Sequence, residues 1–190
     1  TDATASLVGE RAAADARVRV VSHTANRGLG AAVRSGLGAA TGDVVLYTDA
    51  DLPFDLLEVG RALRLMRQRD VGVVALYRHD RAGEGARRWV YSYLYNSLVR
   101  AVLGLRVRDV NFAGKFLRRD VLDAVQLRSE GSFVDAELLA RAHLAGATIV
   151  QFGVDYFPRS RGVSTLSSGR VIRDILREMR ALRPELRAGR

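Results

Sequence analysis

A short apolar run from Val44 to Tyr47 is followed almost at once by two aspartates, Asp49 and Asp51. A run of this kind is typical of a strand buried on both faces, as in parallel α/β sheets. Ligands of such sheets bind outside the carboxyl ends of the strands, which is where the two aspartates stand. Two carboxylates one residue apart repel each other unless a ligand lies between them, and oxygen ligands suit Mg²⁺ or Mn²⁺. The pattern therefore predicts a metal site, with two solvated loop aspartates as the alternative.

The remaining sequence alternates strand-like and helix-like segments. Strands are predicted over residues 18–22, 43–48, 71–76, 112–117 and 148–154, and helices over residues 5–14, 28–40, 54–69, 87–105, 119–125, 134–144 and 169–187. This alternation is typical of an α/β fold in which helices cover both faces of a mostly parallel sheet. We find no internal repeat or linker, so the sequence predicts one domain over residues 1–190.

The composition limits the classes of partner. The chain of 190 residues has no cysteine, which excludes disulfides and thiolate metal sites and fits a cytosolic location. Lysine and arginine together number 30 against 21 acidic residues, a formal net charge of +9. This excess favours an anionic partner: a nucleotide diphosphate, a lipid phosphate, an acidic membrane surface or nucleic acid. The alternative is a solvated basic surface that reflects an arginine-rich composition.

Four motifs occur in a familiar order. They are N-R-G-L-G-A-A-V-R-S-G-L to D-A-D-L-P over residues 26–53, D-V-N-F-A-G-K over 109–115, S-F-V-D-A-E-L-L over 132–139, and Y-F-P-R-S-R-G-V-S over 156–164. In these motifs the chain resembles the family 2 glycosyltransferases of GT-A fold, above all the polyprenyl-phosphate (dolichyl-phosphate-type) mannosyl- and glucosyltransferases. The resemblance covers nearly the whole chain. It also implies that the family's first strands, which bind the base and ribose of the donor, would lie upstream of Thr1.

The resemblance implies a reaction as well. A hexose would move, with inversion and with Mg²⁺ or Mn²⁺ as cofactor, from a nucleotide diphosphate sugar such as GDP-mannose or UDP-glucose to a polyprenyl phosphate. The protein would be cytoplasmic and peripheral at the inner face of the membrane. Asp49 and Asp51 would hold the metal, Asp109 would orient the sugar, and Asp135 would lie beside the acceptor. The residues expected to bind the donor or the phosphates are Asn26, Gly28, Gly30, Lys115, Arg159, Arg161 and Ser164.

Each of these roles has a simpler alternative. The glycines fit a tight turn, Asp109 pairs with Arg106 or Arg108, and Asp135 complements a helix dipole. If the acceptor is a saccharide hydroxyl, Asp135 is the candidate base. A lipid phosphate, already ionised near neutral pH, needs no base. A different class of function is a non-catalytic basic module that binds anionic membrane or nucleic acid, although no interleaved aromatic and basic surface favours nucleic acid.

The last segment, residues 169–187, is predicted to form a basic amphipathic helix. Such a helix either lies in the headgroup plane of a membrane or packs its apolar stripe on the core of the domain.

Overall fold

A computed structural model of the chain describes residues 3–80, 86–157 and 169–186. Its helices are α1 (Thr4–Ala14), α2 (Gly28–Ala39), α3 (Glu58–Arg69), α4 (Ala86–Leu103), α5 (Arg119–Asp123), α6 (Val134–Leu144) and α7 (Gly169–Leu182). Its strands are β1 (Val44–Thr48), β2 (Val73–Arg78), β3 (Gly114–Arg118) and β4 (Ile149–Val154). The predicted α/β class is confirmed.

The sheet has the strand order β1-β3-β2-β4. Strand β3 runs antiparallel to both β1 and β2, whereas β2 and β4 are parallel. Strands β1, β2 and β4 therefore point the same way, with β3 inserted against them. The sheet is therefore mixed: three of its four strands share one direction, and β3 opposes them. The segment before β3 brings the chain back to the carboxyl end of β2, so β3 enters from that edge and must run in the opposite direction.

Two cores cover the two faces of the sheet. On one face, α3 packs through Ala62 and Met66 against Phe116 and Phe152. On the other face, α2, α4, α6 and α7 pack over the sheet, with Leu138 and Leu139 of α6 at the centre. We call these the α3 side and the α6 side. Helices on both faces were predicted, and the continuous apolar run at the start of β2 follows from burial on both sides.

The predicted strand over residues 18–22 is wrong. This segment is described, but it pairs with no strand in the part of the chain that the structure covers. Val20 and Val21 are 42% and 53% exposed. An apolar extended segment becomes a strand only when a neighbour supplies ladder hydrogen bonds. Here a side-chain hydrogen bond joins the segment to the end of α2: the Arg19 guanidinium donates to the Ala39 carbonyl at 2.8 Å.

Helix α7 packs its apolar stripe on the domain. Ile175 and Met179 are buried in the α6-side core, as is Leu186 just beyond the helix. Most of the apolar stripe therefore packs on the core, as in the second alternative left open by the sequence, while Leu176 is 46% exposed. No helix in the described ranges is long and apolar enough to cross a bilayer.

Candidate active site

The carboxyl ends of β1, β2 and β4 lie at one edge of the sheet, and β3 begins there. Polar side chains gather at this edge because each strand delivers one as it ends or begins. The edge receives Asp49 and Asp51 after β1, Arg78 at the end of β2, Asp109 in the segment before β3, Lys115 within β3, and Tyr156 after β4. Asp135, in the first turn of α6, lies above it. The structure thus brings together most of the acidic residues singled out in the sequence.

Lys115 is the buried centre of this group. Its Nζ donates to Asp135 Oδ1 at 2.5 Å and to the Phe112 carbonyl at 2.8 Å. The side chains of Lys115 and Asp135 are only 1% and 6% exposed. Tyr47 is the cross-strand neighbour of Lys115, and its ring centroid lies 5.3 Å from Nζ. Both described partners of the ammonium are protein oxygens, so the phosphate role of Lys115 stays a prediction.

The pKa of the Tyr47 phenol responds to the burial and the negative charges at this edge. Burial raises the pKa of Tyr47 first, and the negative charges of Asp135 and Asp49 raise it further. The phenol is therefore neutral at physiological pH and offers a proton to acceptors near it. The first aspartate of the D-x-D motif and the carboxylate of α6 thus act on the same ring. Sequence reasoning took Tyr47 only as part of a strand, and no local signal distinguished it.

Asp109 pairs with Arg78, and not with Arg106 or Arg108. The Arg78 guanidinium donates from Nε to Asp109 Oδ2 at 2.8 Å and from NH2 to Oδ1 at 3.0 Å. Both side chains are buried, at 8% and 2% exposure. Burial and the two-pronged geometry make this a rigid pair. The position of Arg78 at the end of a buried strand was the available signal for its importance.

Aromatic rings enclose the Arg78 guanidinium. Its carbon lies 5.3 Å from the Tyr156 centroid and 5.6 Å from the Phe112 centroid. Arginine stacks readily on aromatic faces, so the rings fix the guanidinium plane. Phe157 follows Tyr156, and its N–H donates to the Pro53 carbonyl at 3.0 Å. The chain beyond β4 is thereby tied to the loop that carries the D-x-D motif.

The glycine segment packs on the backbone of residues 129–130. Asn26 accepts a hydrogen bond from the Gly28 N–H at 2.9 Å, and the Gly30 N–H donates to the Glu130 carbonyl at 2.8 Å. A Cβ on Gly28 or Gly30 would overlap the carbonyl oxygen of Glu130 or Ser129. Gly28 also has a φ of 85°, which favours glycine. The glycines therefore let α2 rest directly on the backbone of residues 129–130, and their donor role stays a prediction.

The fully buried Glu137 and the half-buried Glu178 shape the backbone against which α2 rests. Glu137 accepts hydrogen bonds from the N–H of Arg128 and of Ser129, the latter at 2.8 Å. Glu178 of α7 accepts from the N–H groups of Glu130 and Gly131, both at 2.9 Å. Sequence reasoning assigned Glu137 to a helix dipole and did not single out Glu178. Acidic residues that accept from distant backbone N–H groups leave no pattern in the sequence.

A cavity of about 600 Å³ lies beside Asn26 and Gly28. Its lining includes Arg17, Arg19 and Arg27 and contains neither aspartate of the D-x-D motif. In the described part of the chain this cavity and the acidic edge share no residue. We place the chemistry at the edge, because that is where charged groups are buried and mutually oriented.

The fit of a divalent ion rests on Asp49 and Asp51. Asp49 is half-buried and Asp51 exposed. No group of three or more His, Cys, Asp or Glu able to hold a metal occurs among the described residues. Two carboxylates fit an ion that shares its other positions with donor phosphates and water, the usual arrangement for Mg²⁺. The predicted phosphate ligands Arg159, Arg161 and Ser164 lie outside the described residues.

Comparison with known proteins decides the family. The sequence pattern of glycosyl transferase family 2 matches residues 1–126. The chain belongs to glycosyl transferase family 2.

Two relatives in this family illustrate the similarity. The chain is 31% identical over 183 residues to the polyprenol monophosphomannose synthase of Mycolicibacterium smegmatis. The matched region covers 90% of this chain and 68% of that protein. It is 31% identical over 163 residues to glycosyltransferase AglD of Haloferax volcanii, covering 83% of this chain and 26% of that protein. The chain therefore spans only part of the length of these family 2 relatives.

A solved structure supports the fold. Glucosyl-3-phosphoglycerate synthase from Mycobacterium tuberculosis, in complex with Mn²⁺ and uridine-diphosphate-glucose, matches with a TM-score of 0.65 and 24% identity. The match covers 94% of this chain and 64% of that one. At this identity the likeness shows the fold alone, and it confirms the GT-A fold expected of a family 2 member.

Proposed function

We propose that this family 2 chain carries out metal-dependent, inverting transfer of a hexose from a nucleotide diphosphate sugar to a polyprenyl phosphate at a membrane surface. The observation that carries the proposal is the arrangement at the carboxyl edge of the sheet. Two aspartates stand at the end of β1, and the nearby carboxylate Asp135 is already neutralised by Lys115. The relative from Mycolicibacterium smegmatis, a polyprenol monophosphomannose synthase, supports the acceptor class.

Asp49 and Asp51 are the proposed metal ligands, with Mg²⁺ or Mn²⁺ as the ion. When bound, the ion would neutralise charge on the leaving diphosphate. The structural neighbour that holds Mn²⁺ and uridine-diphosphate-glucose supports a nucleotide sugar as donor, with UDP-glucose or GDP-mannose as candidates. The half-buried position of Asp49 and the exposed one of Asp51 suit a ligand that arrives from solvent.

Asp109 is proposed to orient the sugar through Arg78. Both carboxylate oxygens of Asp109 accept from the guanidinium, and the carboxylate is almost fully buried. Asp109 is therefore a positioning residue for Arg78. The guanidinium, fixed by Asp109 and by the two aromatic rings, is suited to an oxygen-rich ligand, because its planar fork matches phosphate and carboxylate groups.

The acceptor is proposed to be a phosphate and not a saccharide hydroxyl. A hydroxyl acceptor needs a base within hydrogen-bond reach of its proton. The candidate base, Asp135, is 5% exposed and has one oxygen held by Lys115. A phosphate monoester, with a second pKa of about 6, is already ionised near pH 7 and needs positioning and charge neutralisation instead. Arg159, Arg161 and Ser164 remain predicted contributors to that task.

Metal-dependent nucleotide binding tests the donor side. Calorimetry of the chain with UDP or GDP is run with Mn²⁺ and again with a chelator. We expect Asp51→Asn to weaken Mn²⁺-dependent nucleotide binding by about 100-fold. Even the loss of a residue that only supports a metal ligand weakens metal binding by up to about 100-fold. Asp43→Asn, which removes an exposed carboxylate at the other end of β1, is the matched control and should bind normally. Equal binding by the two variants would remove the metal assignment.

Acceptor choice is tested by transfer assays with a short polyprenyl phosphate and with a simple hexose. We expect product only with the phosphate. In Asp135→Asn, the fraction that remains folded should keep transfer to the phosphate, because no proton has to be removed. Transfer to the hexose that disappears in Asp135→Asn would instead support the hydroxyl alternative.

A further inference from the structure

Helix α4 exposes an apolar and aromatic face. Five of the exposed large apolar side chains among the described residues lie in one stretch of this helix: Trp89, Val90, Tyr91, Tyr93 and Leu94. Trp89 and Tyr93 are one turn apart, and their rings stack with centroids 5.8 Å apart. Tyr93 is 62% exposed and Leu94 57% exposed. A contiguous patch of this kind usually marks a contact surface.

The orientation of α4 is fixed by its opposite side. Val99 and Leu103 are fully or almost fully buried in the α6-side core. Asn96, one turn after Ser92, is also buried and accepts a hydrogen bond from the Val110 N–H at 3.0 Å. The helix therefore cannot rotate to hide its aromatic residues. Their exposure follows from the packing of the domain.

The same exposed face leads to a basic recess. Arg100 lies seven residues after Tyr93, on the same side of the helix, and is exposed. Arg100, Arg106 and Arg108 line a cavity of about 540 Å³ together with Tyr77 and Gln151. Within the described ranges, none of these three guanidiniums forms an ion pair with a carboxylate. This contrasts with Arg78, whose guanidinium is paired with Asp109.

The recess is a built site. Gln151 accepts from the Arg108 N–H at 2.8 Å and donates to the Arg106 carbonyl at 2.9 Å, which holds the backbone of the loop. The Arg108 guanidinium donates to the Tyr77 hydroxyl at 3.1 Å and lies 4.9 Å from its ring centroid. Three like charges are thus held around one cavity. An anion bound among these cations would reduce their mutual repulsion, and the guanidinium fork matches phosphate oxygens.

We propose that the exposed face of α4 and the recess of Arg100, Arg106 and Arg108 form a membrane-binding surface. The aromatic residues enter the headgroup region, and the recess receives the phosphate of an anionic bilayer lipid. Tryptophan and tyrosine are the residues enriched at membrane interfaces, because each has an apolar body and a polar tip. Cations beside them add attraction to an anionic leaflet. The inference rests on the proposed function only in expecting the chain to work at a bilayer.

This surface differs from the terminal helix, for which the sequence left membrane contact open. The terminal helix α7 has the stronger basic and apolar pattern, but Ile175 and Met179 are buried in the core, and Leu176 is its one exposed large apolar side chain among the described residues. Helix α4 keeps its aromatic residues outside. The membrane-facing side of the domain is therefore the α6 side near α4, and α3 lies on the opposite face of the sheet.

Co-sedimentation with vesicles tests the proposal. The chain is mixed with vesicles of phosphatidylcholine alone, or of equal parts phosphatidylcholine and phosphatidylglycerol, without nucleotide or polyprenyl phosphate. We expect binding to the anionic vesicles. Arg100→Gln with Arg106→Gln should weaken that binding by about 25-fold, about fivefold for each cation removed. Trp89→Ser with Tyr93→Ser should weaken binding to the same vesicles at all salt concentrations.

Matched controls carry equal changes elsewhere. Arg64→Gln with Arg67→Gln removes two exposed arginines from α3 on the opposite face, and Leu7→Ser with Leu57→Ser removes two exposed leucines. Both should bind vesicles as the unchanged chain does. Circular dichroism checks that all variants fold, and nucleotide binding, which does not use this surface, should be retained in all of them. Retained nucleotide binding with lost vesicle binding separates this inference from the proposed function.

Three results would overturn the proposal: no binding of the unchanged chain to anionic vesicles, equal loss in the α3 control, or unchanged vesicle binding in the aromatic variant. Sedimentation velocity adds a fourth. A concentration-dependent dimer that Trp89→Ser with Tyr93→Ser abolishes, with vesicle binding unaffected, would make this face a contact between two copies of the chain.

Discussion

Lys115 Nζ lies 2.5 Å from Asp135 Oδ1, and the pair joins β3 to the first turn of α6 at the edge where the proposed chemistry takes place. Removing two charges from water costs free energy. The attraction between the two charges offsets this desolvation cost only with further hydrogen bonds, and the ammonium makes one to the Phe112 carbonyl. The pair therefore fixes the height of α6 above the sheet. It also determines how close Asp135 stands to Tyr47.

Breaking this pair should be strongly destabilising. We expect Lys115→Met or Asp135→Leu alone to cost about 3–5 kcal/mol of unfolding free energy, because each leaves a buried charge without its partner. The double variant should lose much less than the sum. Urea denaturation of the two single variants and the double variant measures the coupling between them.

An exposed ion pair provides the comparison. Arg177 NH2 lies 3.3 Å from Asp174 Oδ1, and the two side chains are 73% and 42% exposed. Asp174→Asn should change stability little because solvent screens such pairs. Additive losses in the double variant of Lys115 and Asp135 would show that the buried contact does not couple the two residues.

The sequence allowed the local features of the site to be predicted. The strand before Asp49 and the helix that carries Asp135 follow from patterns within a few residues. The ion-pair partner of Asp109 could not be predicted in this way, because Arg78 is 31 positions away and nearer arginines were available. The direction of β3 and the lack of a partner for residues 18–22 depend on how strands meet in space. Pairing between distant segments leaves no local pattern for sequence reasoning to use.

The glycine segment gives a prediction about packing. Gly30→Ala places a methyl group on the Ser129 carbonyl, and it weakens the hydrogen bond from the Gly30 N–H to Glu130. We expect a loss of about 1–3 kcal/mol, the usual cost of overpacking. Gly38→Ala, in the same helix with nothing within 4 Å of its added methyl group, should instead stabilise by about 0.5–1 kcal/mol. Thermal melts of both variants check this, and equal melting temperatures would contradict it.

Glu178 should control the loop beneath α2. Glu178→Ala removes the acceptor of the Glu130 and Gly131 N–H groups and should cost about 1–3 kcal/mol. Hydrogen exchange at those two amides should accelerate more than exchange across the sheet. Glu185→Ala, which loses only exposed contacts with Arg128 and Arg141, is the control. If the two variants exchange alike at residues 130 and 131, α7 does not hold this loop.

Alkaline pH should reveal the buried tyrosines. Burial raises the pKa of Tyr95 first, and the negative charges of Asp135 and Glu178 raise it further. A raised pKa in the folded state means that stability is complete below the unfolded pKa of about 10 and is lost as pH rises above it. Each such tyrosine should remove about 1.4 kcal/mol per pH unit in that range. Tyr47 shifts in the same direction.

Tyr95→Phe isolates one of these two contributions. The Tyr95 hydroxyl is buried and has no hydrogen-bond partner in the described structure, so its removal should leave stability at pH 7 unchanged or slightly higher. Above pH 10 the unfolding free energy of the variant should fall less steeply than that of the unchanged chain, and the difference in slope is the contribution of one tyrosine, about 1.4 kcal/mol per pH unit. Urea denaturation at several pH values from neutral to strongly alkaline measures both effects. Tyr93→Phe, at an exposed position on α4, should leave the pH dependence as it is, and an equal change in both variants would show that burial of Tyr95 does not cause it.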